Sequence, residues 1–136
     1  MDRDPDGPLN LVAHAAIADR RGRLLLLRRP DTSADNPGRW ELPGGPIGPG
    51  EGVRGALVRG VREKTGLDAK PGRLLGAGDQ SLRRGHVVHL VLGATVHNLE
   101  VVLSGEYDGY RWVTPKGLAE LPLSNWMEGW YGAQRE

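Results

Sequence analysis

The chain of 136 residues contains no cysteine, which removes disulfide staples, thiolate nucleophiles and cysteine-based zinc sites together. It has no phenylalanine either, so any aromatic clamp for a ligand must be built from tryptophan or tyrosine. No run approaches the roughly 18 apolar residues of a membrane-spanning helix. Met1 to Pro8, MDRDPDGP, is acidic and turn-rich with no apolar stretch after a basic start, unlike a signal peptide or an anchor. Charge of one sign is also missing: 18 Lys and Arg against 17 Asp and Glu leave +1, without the basic stripe of a dedicated nucleic-acid binder. A soluble, cytoplasmic protein stabilised by packing is the expectation. Composition leaves the partner open.

What is present is ordinary for a globular protein, 38% hydrophobic and 26% charged, at a length that suits one core. Residues 9–136 are expected to form a single domain after a flexible tail, residues 1–8. Leu9 to Ala18 and Arg23 to Arg29 are apolar segments around the turn-like Asp19 to Gly22, which reads as a β-hairpin. Pro30 to Gly38 is dense in turn formers, and Arg39 to Leu42 is a short extended segment. Pro43 to Gly52, PGGPIGPGEG, is too broken for a helix or a ladder and is expected to be a shaped loop. From Val53 to Thr65 the spacing of Val53, Leu57, Val58 and Val61 predicts a helix, with Gly66 as its stop. Arg73–Ala77, His86–Val96, Glu100–Leu103 and Tyr110–Val113 read as strands, with turns at Arg83-Arg84-Gly85 and His97-Asn98. A helical stretch is expected near Pro115, and another from an N-cap at Ser124 to about Ala133. This order implies an α/β (α+β) fold, a mixed β-sheet sandwiched between helices.

Chemistry is concentrated in Gly44 to Glu63, where glycine-exposed backbone adjoins a helix whose side chains converge at i, i+3 and i+4. Gly45, Glu51, Arg59, Val61, Glu63, Gly66 and Leu67 are spaced as in the Nudix box: Gly, five residues, Glu, seven residues, then Arg-Glu-U-X-Glu-Glu-X-Gly-U, where U is a bulky aliphatic. Trp40-Glu41-Leu42-Pro43-Gly44-Gly45 looks like the usual lead-in, and Glu106 to Val113 like the later strand entry. The chain therefore resembles the Nudix hydrolase family along nearly its whole length. That resemblance implies the Nudix fold, Mg²⁺- or Mn²⁺-dependent hydrolysis of a nucleoside diphosphate linked to another moiety, and frequent pairing as homodimers.

The departures from the pattern bear on function. Gly60 stands where the family has its first helical Glu and Lys64 where it has the third, so only Glu63 survives. Three carboxylates would carry −3 on that face, whereas Gly60, Glu63 and Lys64 sum to 0. A unit pair about 4 Å apart at an effective dielectric of roughly 20 interacts by about 4 kcal/mol, and a divalent ion doubles the coupling. The box is thus degenerate and its metal site weakened. If the family's chemistry holds, Gly44, Glu63 and Glu106 would ligate a weakly held metal, with Glu51 supporting them. Glu63, Glu106 and Asp108 would then be the catalytic candidates, and Arg59, Lys64, Gly45 and Trp40 the contacts to a phosphorylated or anionic small molecule. Two alternatives stand beside that reading: a ligand-binding module in which Arg59 and Lys64 grip an anion, and metal-independent acid or base chemistry.

His86 and His89, three apart in a strand, must face opposite sides. One of them is expected to line the cleft. His14 lies among apolar strand neighbours. Trp126 and Trp130 lie at i, i+4 on the last helix, where packing is the commoner use and stacking on a ligand the alternative.

Overall fold

The computed structural model describes residues 8–82 and 85–135. Among these residues, seven strands, β1 (Leu9–Ile17), β2 (Leu24–Arg28), β3 (Trp40–Glu41), β4 (Gly44–Pro46), β5 (Lys70–Leu82), β6 (Gly85–Thr95) and β7 (Gly109–Val113), accompany two α-helices, α1 (Val53–Thr65) and α2 (Asn125–Arg135). A 3-10 turn spans Lys116–Glu120.

The strands form two sheets. One has the order β4-β1-β6-β5, the other β3-β2-β7. The first is mixed, since β1 runs parallel to β6 but antiparallel to β4, and β5 is antiparallel to β6. The expected hairpin of the first two strands is corrected here. Asp19 does close a tight turn, its carboxylate accepting the backbone N–H groups of Arg21 and Arg23 at 2.9 Å. The segments it joins nevertheless enter different sheets and share only the bridge of Ala18 with Leu24.

Alternation along β1 builds two apolar layers. Ala13, Ala15 and Ile17 face α1 with Ala56, Leu57 and Val61. Ala16 and Val91 point the other way, toward Leu42, Trp126, Met127 and Trp130. Strand β2 feeds both layers, Leu25 and Leu27 into one and Leu26 into the other, so its unbroken leucine run is buried on each side.

Helix α1 has the bounds its periodicity predicts, and Gly66 ends it in the left-handed region at φ 72°. Two expectations are corrected. Gly44–Pro46, placed in the loop, is strand β4. Glu100–Leu103 is not a strand: the N–H of Val102 donates to Thr65 O and that of Ser104 to Lys64 O, so this segment caps the open carbonyls of α1. Ser124 directly precedes α2, but its hydroxyl donates to Glu41. The turn predicted at Arg83-Arg84 lies outside the described residues.

Candidate functional site

A cleft of about 300 Å³ opens between the face of the larger sheet that carries His14 and His89, the start of α2, and the β4 to α1 junction. It brings together Gly44, Gly45, Lys64 and Glu106 from the sequence candidates, and adds Arg29, Glu41, Tyr107, His14, His89 and Trp126.

At the β4 to α1 junction, two glycines allow backbone to lie on backbone. A Cβ on Gly44 would land on the Ala13 carbonyl, so only glycine lets β4 pair so closely with β1. A Cβ on Gly60 would stand 2.5 Å from Gly44 C and from Gly45 N. Gly60 therefore seats the helix directly on the strand. One turn later, Lys64, only 8% exposed, donates from Nζ to the Gly44 carbonyl at 2.6 Å. Among the described residues no carboxylate lies within ion-pair reach of that ammonium, and two of its three donors have no protein partner.

The remaining box residues form a separate clasp outside the cleft. Arg59 holds Glu51 in a two-pronged contact, Nε to Oε2 at 2.8 Å and Nη2 to Oε1 at 3.0 Å, donates to the Pro46 carbonyl, and reaches Glu63 at 3.3 Å. Glu51 Oε1 also accepts the Gly48 N–H at 2.9 Å. Arg59 and the Gly48 amide lower the Glu51 pKa to about 2. Glu51 thus folds the glycine loop, and Arg59 is already engaged by carboxylates. Asp108 accepts Arg28 Nη1 at 2.6 Å and is not a cleft residue. Trp40 packs into the layer under α2, with the Arg111 guanidinium 5.9 Å above its ring.

These positions test the donor set for a divalent ion. Of the three expected ligands, the Gly44 oxygen is taken by an ammonium, Glu63 is turned toward Arg59 with its side chain 55% exposed, and Glu106 is exposed at the cleft edge. No cluster of three acidic or histidine side chains suited to a metal occurs among the described residues. A hard, six-coordinate cation wants several oxygens, and here it would also meet Lys64 at the first of them. The residues present do not fit a divalent metal on Gly44.

The cleft floor is polar and buried. Glu41, 2% exposed, accepts the Tyr107 hydroxyl at 2.8 Å and the Ser124 hydroxyl at 2.7 Å and forms an ion pair with Arg29 Nη2 at 3.0 Å. Burial pushes its carboxyl up, but the Arg29 charge and the hydrogen bonds outweigh that and hold it below the ordinary value. Burial, reinforced by Glu41, raises Tyr107. Beside this group, His14 Nδ1 bonds to Leu42 O at 2.9 Å and His14 Nε2 to His89 Nδ1 at 2.9 Å. Both rings stack on Trp126, with centroids at 4.0 and 4.7 Å. Burial lowers His14 to about 4 and His89 to about 3, so both are neutral near pH 7. His86, on the opposite face, meets the Ser81 hydroxyl at 3.2 Å. Trp126 is buried in the α2 contact, its expected packing use, and also forms part of the cleft wall.

Sequence patterns single out neither Arg29 nor the Glu41–Tyr107 pair. Glu41 is contained in the lead-in to the glycine loop, but its partners lie 66 and 83 residues away.

Residues 8–133 match the family model of the NUDIX domain. The chain is 34% identical over 110 residues to a CTP pyrophosphohydrolase of Escherichia coli strain K12, covering 81% of this chain and 80% of that protein. It is 30% identical over 114 residues to the nucleoside triphosphatase NudI of Salmonella agona, covering 76% and 81%. Among solved structures it resembles the MutT protein of Methanosarcina mazei Go1, with a TM-score of 0.86, 30% identity, and coverage of 96% and 95%. The E. coli ORF135 protein superposes with a TM-score of 0.74 at 26% identity, covering 94% and 92%.

Proposed function

The chain belongs to the Nudix family, and from that premise we propose that its cleft takes a nucleoside phosphate or a similar phosphorylated small molecule, gripped by a resident lysine ammonium instead of through a divalent ion. One contact carries this reading: Lys64 Nζ on the Gly44 carbonyl at 2.6 Å, buried, facing the cleft and lacking a carboxylate. A buried cation without a counter-ion favours an anion brought by the ligand. Half-buried Arg29 adds a second positive group to the wall, although Glu41 balances it. The names of the relatives, a CTP pyrophosphohydrolase and a nucleoside triphosphatase, suggest where to look for the ligand. A cytoplasmic setting belongs to the same reading, since nucleoside phosphates are cytoplasmic metabolites.

Metal-assisted hydrolysis is weak in this reading. A divalent ion about 4 Å from the ammonium meets a repulsion of roughly 8 kcal/mol at an effective dielectric of about 20 before any ligation offsets it. The test is a thermal-shift titration of CTP and of inorganic tripolyphosphate with EDTA present, alongside phosphate release in Mg²⁺ and in Mn²⁺. Stabilisation in EDTA that disappears in Lys64→Met, with little metal-dependent release, is expected. Stabilisation that requires Mg²⁺, or brisk Mg²⁺-dependent turnover abolished by Glu63→Gln, overturns it.

A further inference from the structure

The histidine pair in the cleft wall has a hydrogen-bond polarity that can be read from one fixed end. The Leu42 carbonyl only accepts, so His14 Nδ1 must carry the hydrogen of their 2.9 Å bond. In a neutral ring, His14 Nε2 is then bare and accepts, and His89 Nδ1 must donate to it across 2.9 Å. His89 in turn is left with a bare Nε2. That nitrogen is closed to bulk water and has no partner among the described residues. Burial of both rings keeps them neutral and so preserves the order.

Buried acceptors are normally satisfied, and one left open is a place where a partner is expected. His89 is 8% exposed and belongs to the cleft wall. Val12 is its neighbour across the β1 ladder, Val87 lies two residues back on the same face, and Trp126 covers its ring with planes 6° apart. Val12, Val87 and Trp126 thus give His89 a flat apolar setting, while polar side chains such as Gln80 and Asn36 and the cationic Lys64 line the rest of the same cleft. Such a division suits a ligand with an aromatic nitrogen heterocycle at one end and phosphate at the other.

We propose that His89 Nε2 accepts an N–H or amino hydrogen from the ligand's heterocyclic base, with His14 as the positioning residue that locks His89 in the accepting tautomer. This rests on the reading that the cleft takes a nucleoside phosphate, and adds how the base would be selected. A site built to receive a donor discriminates against an analogue lacking it, because the buried acceptor then stays unpaired.

The experiment measures binding in EDTA by calorimetry for three probes: CTP, the pyrimidin-2-one riboside triphosphate that differs by loss of the 4-amino group, and inorganic tripolyphosphate. CTP is expected to bind about tenfold or more tightly than the des-amino analogue, with the ratio falling toward one in His89→Phe, which keeps a ring on Trp126. Equal affinity for the two nucleotides in the wild type, or a ratio unchanged in His89→Phe, overturns the His89 assignment alone if tripolyphosphate still binds. Failure of all three probes to bind overturns the phosphate reading and this one with it. Nitrogen NMR of the histidine-labelled full chain gives a ligand-free check. An unprotonated Nε2 and protonated Nδ1 on His89 are expected at neutral pH, and a protonated Nε2 refutes the relay.

Discussion

Replacing Gly60 by alanine sets two calculable effects against each other. In a helix interior alanine is better than glycine by about 1 kcal/mol, so propensity alone predicts a more stable protein. The new methyl would instead stand 2.5 Å from Gly44 C and Gly45 N and 2.8 Å from Gly44 O, about 1 Å inside ordinary contact. These are backbone atoms of β4, held by the β1 ladder and by the Lys64 bond, and cannot rotate away as a side chain would. Overpacking of this kind costs about 1–3 kcal/mol, which set against the alanine gain leaves a net loss of up to roughly 2 kcal/mol and lowers the melting temperature by up to about 8 °C for a domain of this size. Gly55 supplies the control. It lies on the same helix with nothing within 4 Å of its missing Cβ, so Gly55→Ala should gain about 0.5–1 kcal/mol. Urea denaturation and thermal melts of both variants read the difference. If Gly60→Ala is as stable as Gly55→Ala, the close seating of α1 on β4 is refuted.

Acid should weaken the fold in a defined window. Both histidines are depressed from 6.5, to about 4 and about 3, so above pH 6.5 folded and unfolded forms alike are neutral. Below it only the unfolded chain takes up protons, at about 1.4 kcal/mol per pH unit for each ring. The wild type should lose roughly 2–4 kcal/mol between pH 6.5 and 5, and His14→Phe/His89→Phe should not; matching urea midpoints for the two across that range would contradict this. Glu41→Gln should cost about 2–4 kcal/mol in urea because it strips Arg29 of its charge partner, against about 1–2 for Tyr107→Phe, which removes one hydrogen bond. Equal costs for the two would show that the Glu41 charge contributes nothing beyond accepting that bond.

The sequence made local features legible and left distant ones hidden. Helix α1 and its stop at Gly66 are written in neighbouring residues and emerge where expected, and the Glu51 contact to the Gly48 amide is equally local. The turn at Asp19 is likewise local, but nothing in it specifies which sheet each flanking strand will join, so the local pattern points to a hairpin that the two sheets do not form. Strand β4 exists because glycines 44 and 60 permit a tertiary approach, which no propensity encodes. Glu100–Leu103 alternates like a strand, yet its amides serve the end of a helix. Counting charges at 60, 63 and 64 reads only the composition of one helix face. It could not find that Lys64 reaches Gly44 across 20 residues or that His14 meets His89 across 75.

The contact between α1 and β4 also decides how readily the site accepts new side chains. Restoring the carboxylates of the Nudix pattern would require two substitutions, each unfavourable alone. Lys64→Glu would aim a carboxylate at a carbonyl oxygen that now receives a cation, while Gly60→Glu would drive a side chain into backbone already in contact with the helix. Neither step improves the molecule before the other is made, and Gly60→Glu also demands that the strand retreat. The closeness of helix and strand thus makes each substitution costly when made singly.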